Sequence, residues 1–108
     1  MAGMQGFKEI DPGFVADLAA SGAQLIDVRT EAEVAQGVIK GAIHIPLHLL
    51  PLRAADIFKD KPVVIYCRSG ARSAQACAFM AAQGFNNMHN LAGGIMAWAR
   101  SGNTLSRP

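Results

Sequence analysis

Val63-Val64-Ile65-Tyr66-Cys67-Arg68-Ser69-Gly70-Ala71-Arg72-Ser73 is the stretch on which the reading of this chain turns. Its first four residues are β-branched or aromatic and apolar without alternation, as in a central parallel strand covered on both faces. Cys67 follows, a short polar loop closes on Arg72 and Ser73, and an alanine-rich helical pattern starts at once. The loop's backbone N–H groups, freed from any ladder, can turn inward on whatever Cys67 carries. The helix behind adds the positive end of its dipole. Arg68 and Arg72 act in the same direction, so the thiol is expected to be acidified and largely ionised near neutrality. The stretch predicts a nucleophile on an anion-binding cradle.

Outward from this strand, helices and strands alternate. Upstream, Phe7–Ile10 suits a short edge strand. Asp11-Pro12 reads as a cap with proline at the first helical position, followed by Phe14, Val15, Leu18 and Ala19 at helical spacing and by Gly22 as a stop. Leu25–Val28 is a second strand, ending in Arg29. Thr30 and Glu33 form a capping box for a short helix closed by Gly37. A brief strand is expected around Ala42–Ile45, and a helix over Leu47–Phe58 that Pro51 must begin or divide. Downstream, Ser73–Gln83 is the clearest helix, Met88–Leu91 a further strand, and Gly93-Gly94 the turn into a last helix over Ile95–Arg100. This alternation predicts an α/β fold: a small, mostly parallel sheet of about five strands with helices on both faces. Ligands of such sheets bind at the carboxyl ends of the strands, where Cys67, Asp27 and Arg29 would share one rim.

The 108 residues suit one domain spanning 1–108, with residues 1–6 and 102–108 loosely ordered. Half the chain is hydrophobic and the net charge is only +2, without a basic run, which leaves nucleic-acid binding unsupported. The N-terminus lacks the apolar core of a signal peptide, and no window reaches the ~18 apolar residues of a membrane span. Cys67 and Cys77 make neither a disulfide framework nor a zinc pattern, so a reducing cytoplasm is the expected compartment.

Two chemistries use a cysteine followed by a tight amide-lined loop at a helix start. Phosphoryl transfer by tyrosine-phosphatase-like enzymes places five residues between cysteine and arginine. Here four residues, Arg68 to Ala71, separate Cys67 from Arg72. The smaller ring suits a single sulfur atom better than a tetrahedral phosphate.

Three segments resemble the single-domain rhodanese (thiosulfate sulfurtransferase-like) family. Leu25–Arg29 with Glu33, Gly37 and Ile39–Pro46 is similar to its N-terminal signature. Val63–Ser73 is similar to its active-site strand and six-residue loop, and Leu91–Trp98 to its C-terminal signature. One position departs: Val38 stands where members commonly carry histidine, which removes a supporting polar contact. The resemblance implies a rhodanese-like fold and a sulfurtransferase that moves sulfane sulfur from thiosulfate or a related anionic donor to cyanide or a thiol. Transfer would run through a Cys67 persulfide in ping-pong fashion, with no cofactor and no metal. Backbone amides over Arg68, Ser69, Gly70, Ala71, Arg72 and Ser73 would bind the persulfide, and the two arginines the donor's sulfonate end. Partners would be that donor, the acceptor and in some settings an acceptor protein, with neither nucleic acid nor membrane. The competing functions are a phosphatase or arsenate reductase on the same fold, and a non-enzymatic persulfide carrier or docking module.

Other residues have plainer readings. Cys77 lies mid-helix on the expected core face and reads as structural filler. Arg72 either aims into the pocket or holds the loop through an acidic partner. Asp27 and Arg29 read as a polar pair supporting the rim. His44 and His48, with Pro46 between them, do not share a helical face and suggest no metal site. Met80, Met88, Met96 and Trp98 read as core.

Overall fold

The computed structural model describes residues 6–108; the N-terminal expectations for residues 1–5 fall outside it. Five strands form one sheet: β1 (Lys8–Ile10), β2 (Gln24–Asp27), β3 (Ile43–His44), β4 (Val63–Tyr66) and β5 (Met88–Leu91). Their spatial order is β1-β5-β4-β2-β3, and every pairing is parallel. The helices are α1 (Val15–Ala20), α2 (Glu31–Val34), α3 (Ala71–Ala82) and α4 (Gly94–Arg100).

β4 sits in the middle, and all four of its residues are buried. Alternation of side chains along the strand divides them between two cores. Val63 and Ile65 join Ile26, Ala76, Cys77 and Met80 under α3, whereas Val64 and Tyr66 join Val15, Leu25, Leu91 and Ile95 under α1 and α4. Each fully buried aliphatic side chain of this kind contributes about 1.5–3 kcal/mol relative to exposure. This explains why helices of six and four residues exist here; alone, helices under ~12 residues are marginal in water. Helix α2 has a local device as well. Thr30 N–H donates to Glu33 Oε1 at 3.0 Å, and Glu33 N–H donates to Thr30 Oγ1 at 3.3 Å, completing the expected box.

Several local expectations change. Leu47–Asp56 is a run of 3-10 turns broken at Arg53, not an α-helix. Pro51 within it has no N–H to donate, and its ring crowds the carbonyl four residues back, so a continuous α-helix cannot run through it. Phe14 is 56 % exposed, because the chain at Pro12–Phe14 is still a 3-10 turn and Val15 takes the inward place. Met96 also faces outward. Helix α3 starts at Ala71, two residues before the expected Ser73, with Gly70 at its cap. The tail beyond Gly102, expected to be loose, returns to the domain. Ser106 pairs antiparallel with Val38, N–H to O in both directions at 2.8 and 2.7 Å, and the Trp98 indole N–H donates to Thr104 O. Among the described residues, no helix is long and apolar enough to cross a membrane.

Candidate active site

Cys67 is the first residue past β4. What bends the chain there is the destination of its carbonyl groups. Ile95 N–H of α4 donates to Cys67 O at 2.9 Å, and Met96 N–H donates to Arg68 O at 3.1 Å. In a trans peptide the N–H points away from its C=O. Drawing these carbonyls toward α4 therefore turns the amides of Arg68 and Ser69 the other way, and the Ser69 amide is one of those that favour the charged sulfur. Gly70 N–H donates to Cys67 Sγ at 3.1 Å and Ser73 N–H at 3.4 Å, while the Ser73 hydroxyl lies 3.4 Å from the same sulfur.

Two glycines permit this closeness. Gly70 turns the loop with φ +103°, a region that side chains resist. At Gly94, a Cβ would stand 2.4 Å from Arg68 O and 2.6 Å from Cys67 O. Only a residue without a side chain lets α4 dock on the loop.

The electrostatics follow from these contacts. Burial pushes the Cys67 thiol up, but donors from the Ser73 hydroxyl and from the amides of Ser73, Gly70 and Ser69 outweigh it, and the net pKa is lowered. Cys77 has no such donors, and burial pushes it up to about 12. Two cysteines ten residues apart on one short stretch thus have opposite characters.

Arg72 meets an acidic partner. Its Nη1 and Nη2 each reach a Glu33 carboxylate oxygen at 2.8 Å. Arg72, with help from the Thr30 cap, holds the Glu33 carboxyl at about 2 against the cost of burial. Helix α2 is thereby tied to the first turn of α3. Arg68 and Ser69 are exposed at the outer edge of the loop, and Arg68 has no ion pair among the described residues. Ala71 is exposed at the start of α3. Arg68 also borders a groove of about 440 Å³ whose walls include Glu33, Gln36, Ile95, Met96 and Leu105.

Asp27 and Arg29 form a buried pair at the rim. Arg29 Nε and Nη2 donate to the Asp27 carboxylate at 3.0 and 2.7 Å, and Nη2 also donates to Gly37 O at 2.7 Å. The guanidinium lies over the Tyr66 ring, 5.7 Å from its centroid. Asp27 is in register with Tyr66, one residue before Cys67, so the pair braces the floor beside the loop. His44 Nε2 is 2.6 Å from Arg29 O.

Three neighbours were not singled out from the sequence as site residues: Glu33, Asn90 and Glu9. Glu33 was visible as half of the capping box and as part of the N-terminal signature, with no role at the site attached to it. Asn90 left only a weak signal, as one of two polar residues in β5. It is 2 % exposed; its Nδ2 donates to both Glu9 oxygens (3.0 and 3.1 Å) and to Gly70 O (3.1 Å), and its Oδ1 accepts from the Ser73 hydroxyl.

A five-stranded parallel sheet presenting a cysteine in an amide-lined loop at its carboxyl edge defines the class: an α/β domain with a loop-cradled thiol. Residues 12–101 match the model of the Rhodanese-like domain. The chain is 56 % identical over 84 residues to a sulfurtransferase of Allochromatium vinosum, covering 78 % of each. It is 36 % identical over 97 residues to the thiosulfate sulfurtransferase GlpE of Pseudomonas entomophila, covering 88 % of this chain and 87 % of the relative. The crystal structure of a rhodanese-related protein from Thermoplasma volcanium superposes with a TM-score of 0.83 at 27 % identity, covering 92 % of this chain and 97 % of the other. The chain belongs to the rhodanese-like domain family.

Proposed function

We propose that this protein is a sulfurtransferase working through a persulfide on Cys67. The observation that carries the proposal is the set of donors converging on Sγ: two backbone amides and a hydroxyl within 3.4 Å. They stabilise charge on the sulfur without a neighbouring base, so ionisation is favoured before a donor arrives. The thiolate attacks the outer sulfur of thiosulfate or a related anionic donor. A bond forms from Sγ to that sulfur, the bond to the sulfonate sulfur breaks, and sulfite departs with the electron pair. An acceptor, cyanide or a thiol, then takes the outer sulfur, and the electron pair of the broken S–S bond returns to Sγ.

Size supports sulfur over phosphorus. Cys67 is 1 % exposed, and the sulfane end of thiosulfate presents a single atom to it. A phosphate ester would need its tetrahedral group inside a loop with one residue fewer than the phosphatase pattern. Arg68, exposed and without an ion pair among the described residues, is the cation that meets the donor's anionic end. Arg72, for which the sequence left both a pocket role and an acidic partner open, is paired with Glu33 and shapes the loop. Both cysteines are free, and an acidified free thiol suits a reducing compartment such as the cytoplasm.

Incubation with thiosulfate followed by intact mass tests the proposal. The expected result is a gain of one sulfur on Cys67, released as thiocyanate by cyanide and absent in Cys67→Ser, which keeps the native circular dichroism. Turnover retained in Cys67→Ser, or cleavage of a phosphate ester with no sulfur gain, would overturn it.

A further inference from the structure

The buried polar side chains among the described residues are Asp27, Arg29, Ser73 and Asn90. The first two satisfy each other. The last two form a second unit, and it touches the thiol.

The orientation of the Asn90 amide is set by what surrounds it. The Glu9 carboxylate and Gly70 O can only accept, so the edge facing them must be the NH2 group. Oδ1 is then turned toward Ser73 Oγ, and being an acceptor only, it takes the hydroxyl proton. Ser73 has one such proton, and Cys67 Sγ lies 3.4 Å from the same oxygen. A protonated thiol can donate to Ser73 Oγ while that proton stays on Asn90. A thiolate cannot donate, and needs the proton itself. The two states of the sulfur make opposite demands on one hydroxyl.

We propose that Asn90 is a positioning residue of the sulfur-transfer cycle, holding the Ser73 hydroxyl proton while Cys67 is a thiol or persulfide and yielding it to Sγ when the sulfur becomes a thiolate. The proton changes partner by rotation about the Ser73 Cβ–Oγ bond, and no O–H bond breaks. On ionisation the thiol's own proton goes to solvent. When an acceptor removes the outer sulfur, the electron pair left on Sγ draws the hydroxyl back. A buried acceptor left without its donor is costly, so Asn90 competes with the thiolate for Ser73. Glu9, gripping Nδ2 through both oxygens, polarises the amide and strengthens that hold. This assignment rests on the proposed sulfur chemistry for its cycle, but the competition exists in the resting protein.

The charged groups around Cys67 are Arg68 in the loop, Arg72 of α3 with its partner Glu33, the Asp27–Arg29 pair beside the loop, and Glu9 of β1 behind Asn90. The test is the pH dependence of iodoacetamide alkylation, with the modified residue located by mass. Asn90→Ala should lower the apparent pKa of Cys67 by about one unit, a tenfold gain in thiolate at acid pH. Ser73→Ala should raise it, and adding Asn90→Ala to that variant should change nothing more. Glu9→Gln, at an exposed edge, should give a smaller downward shift that also disappears in the Ser73→Ala background. A rise in Asn90→Ala, or shifts of equal size with and without Ser73, would overturn the assignment. Should Asn90→Ala not fold, the Glu9→Gln pair decides alone: its downward shift lost without Ser73 supports the relay, and its persistence there leaves only a charge effect and refutes it. Alkylation needs no sulfur donor, so the relay and the persulfide chemistry can fail separately.

Discussion

Replacing Glu33 by Gln isolates one charge and leaves the shape almost unchanged. Glutamine can serve the capping box as glutamate does, so helix α2 keeps its start while Arg72 loses its counter-charge. The ordinary Glu33 value near 4.5 falls to about 2 in the fold, which taken whole corresponds to roughly 3 kcal/mol at ~1.4 kcal/mol per unit. Both side chains meet water, 26 % for Glu33 and 36 % for Arg72, and screening brings the expected loss to about 1–2 kcal/mol. The folded value is depressed, so the contribution is fully present above the unfolded value and is lost as pH falls through the folded one. Urea unfolding of both proteins should therefore differ by about 1–2 kcal/mol at pH 7, by roughly two-fifths of that near pH 3, and by almost nothing near pH 2. Other carboxylates titrate in both proteins and cancel in the comparison. A difference that stays constant from pH 7 to pH 2 would refute the charge reading and place the effect in packing.

Three further outcomes follow from the geometry. Near neutral pH, alkylation should label Cys67 and spare Cys77: both are buried, but donors lower the Cys67 thiol while Cys77 is held up at about 12; equal labelling of native protein would contradict the donor geometry at Sγ. Gly94→Ala should destabilise the fold by about 3 kcal/mol or more, combining a left-handed backbone with a clash against the loop carbonyls, and unfolding midpoints would show it. Arg68→Gln should raise KM for an anionic donor, leave kcat unchanged, and move stability by no more than ~0.5 kcal/mol; a fall in kcat alone would assign Arg68 to the transition state instead.

Much of the architecture could be read locally. An uninterrupted apolar run marks β4 as central, Thr30 and Glu33 three apart announce a helix start, and Gly70, Gly84 and Gly93 punctuate the elements they flank. These are signals between near neighbours in sequence. The site is less legible, because its decisive contacts are distant. Arg72 finds Glu33 across 39 residues, and Asn90 finds Glu9 across 81. No periodicity encodes which of several carboxylates an arginine will meet, so both roles of Arg72 stood open until the helices were placed. Leu47–Asp56 failed for a different reason: its composition is helical, but Pro51 sets the hydrogen-bond pattern, and the short-range ladder won. Met96 misleads because α4 is one helix deep on its sheet face, and a helix so placed wets the side turned from the sheet.

The amides of Ile95 and Met96 that draw the loop carbonyls outward belong to the last helix of the chain. A ribosome has therefore released the thiol, and the strand that bears it, before the helix that fixes its loop can dock. The edge strand β1 waits as well, since its partner β5 lies about eighty residues downstream. The loop takes its final shape only when the tertiary structure closes. A nascent chain ending before Gly94 would carry the donors of the loop without the two α4 amides that hold its carbonyls in place.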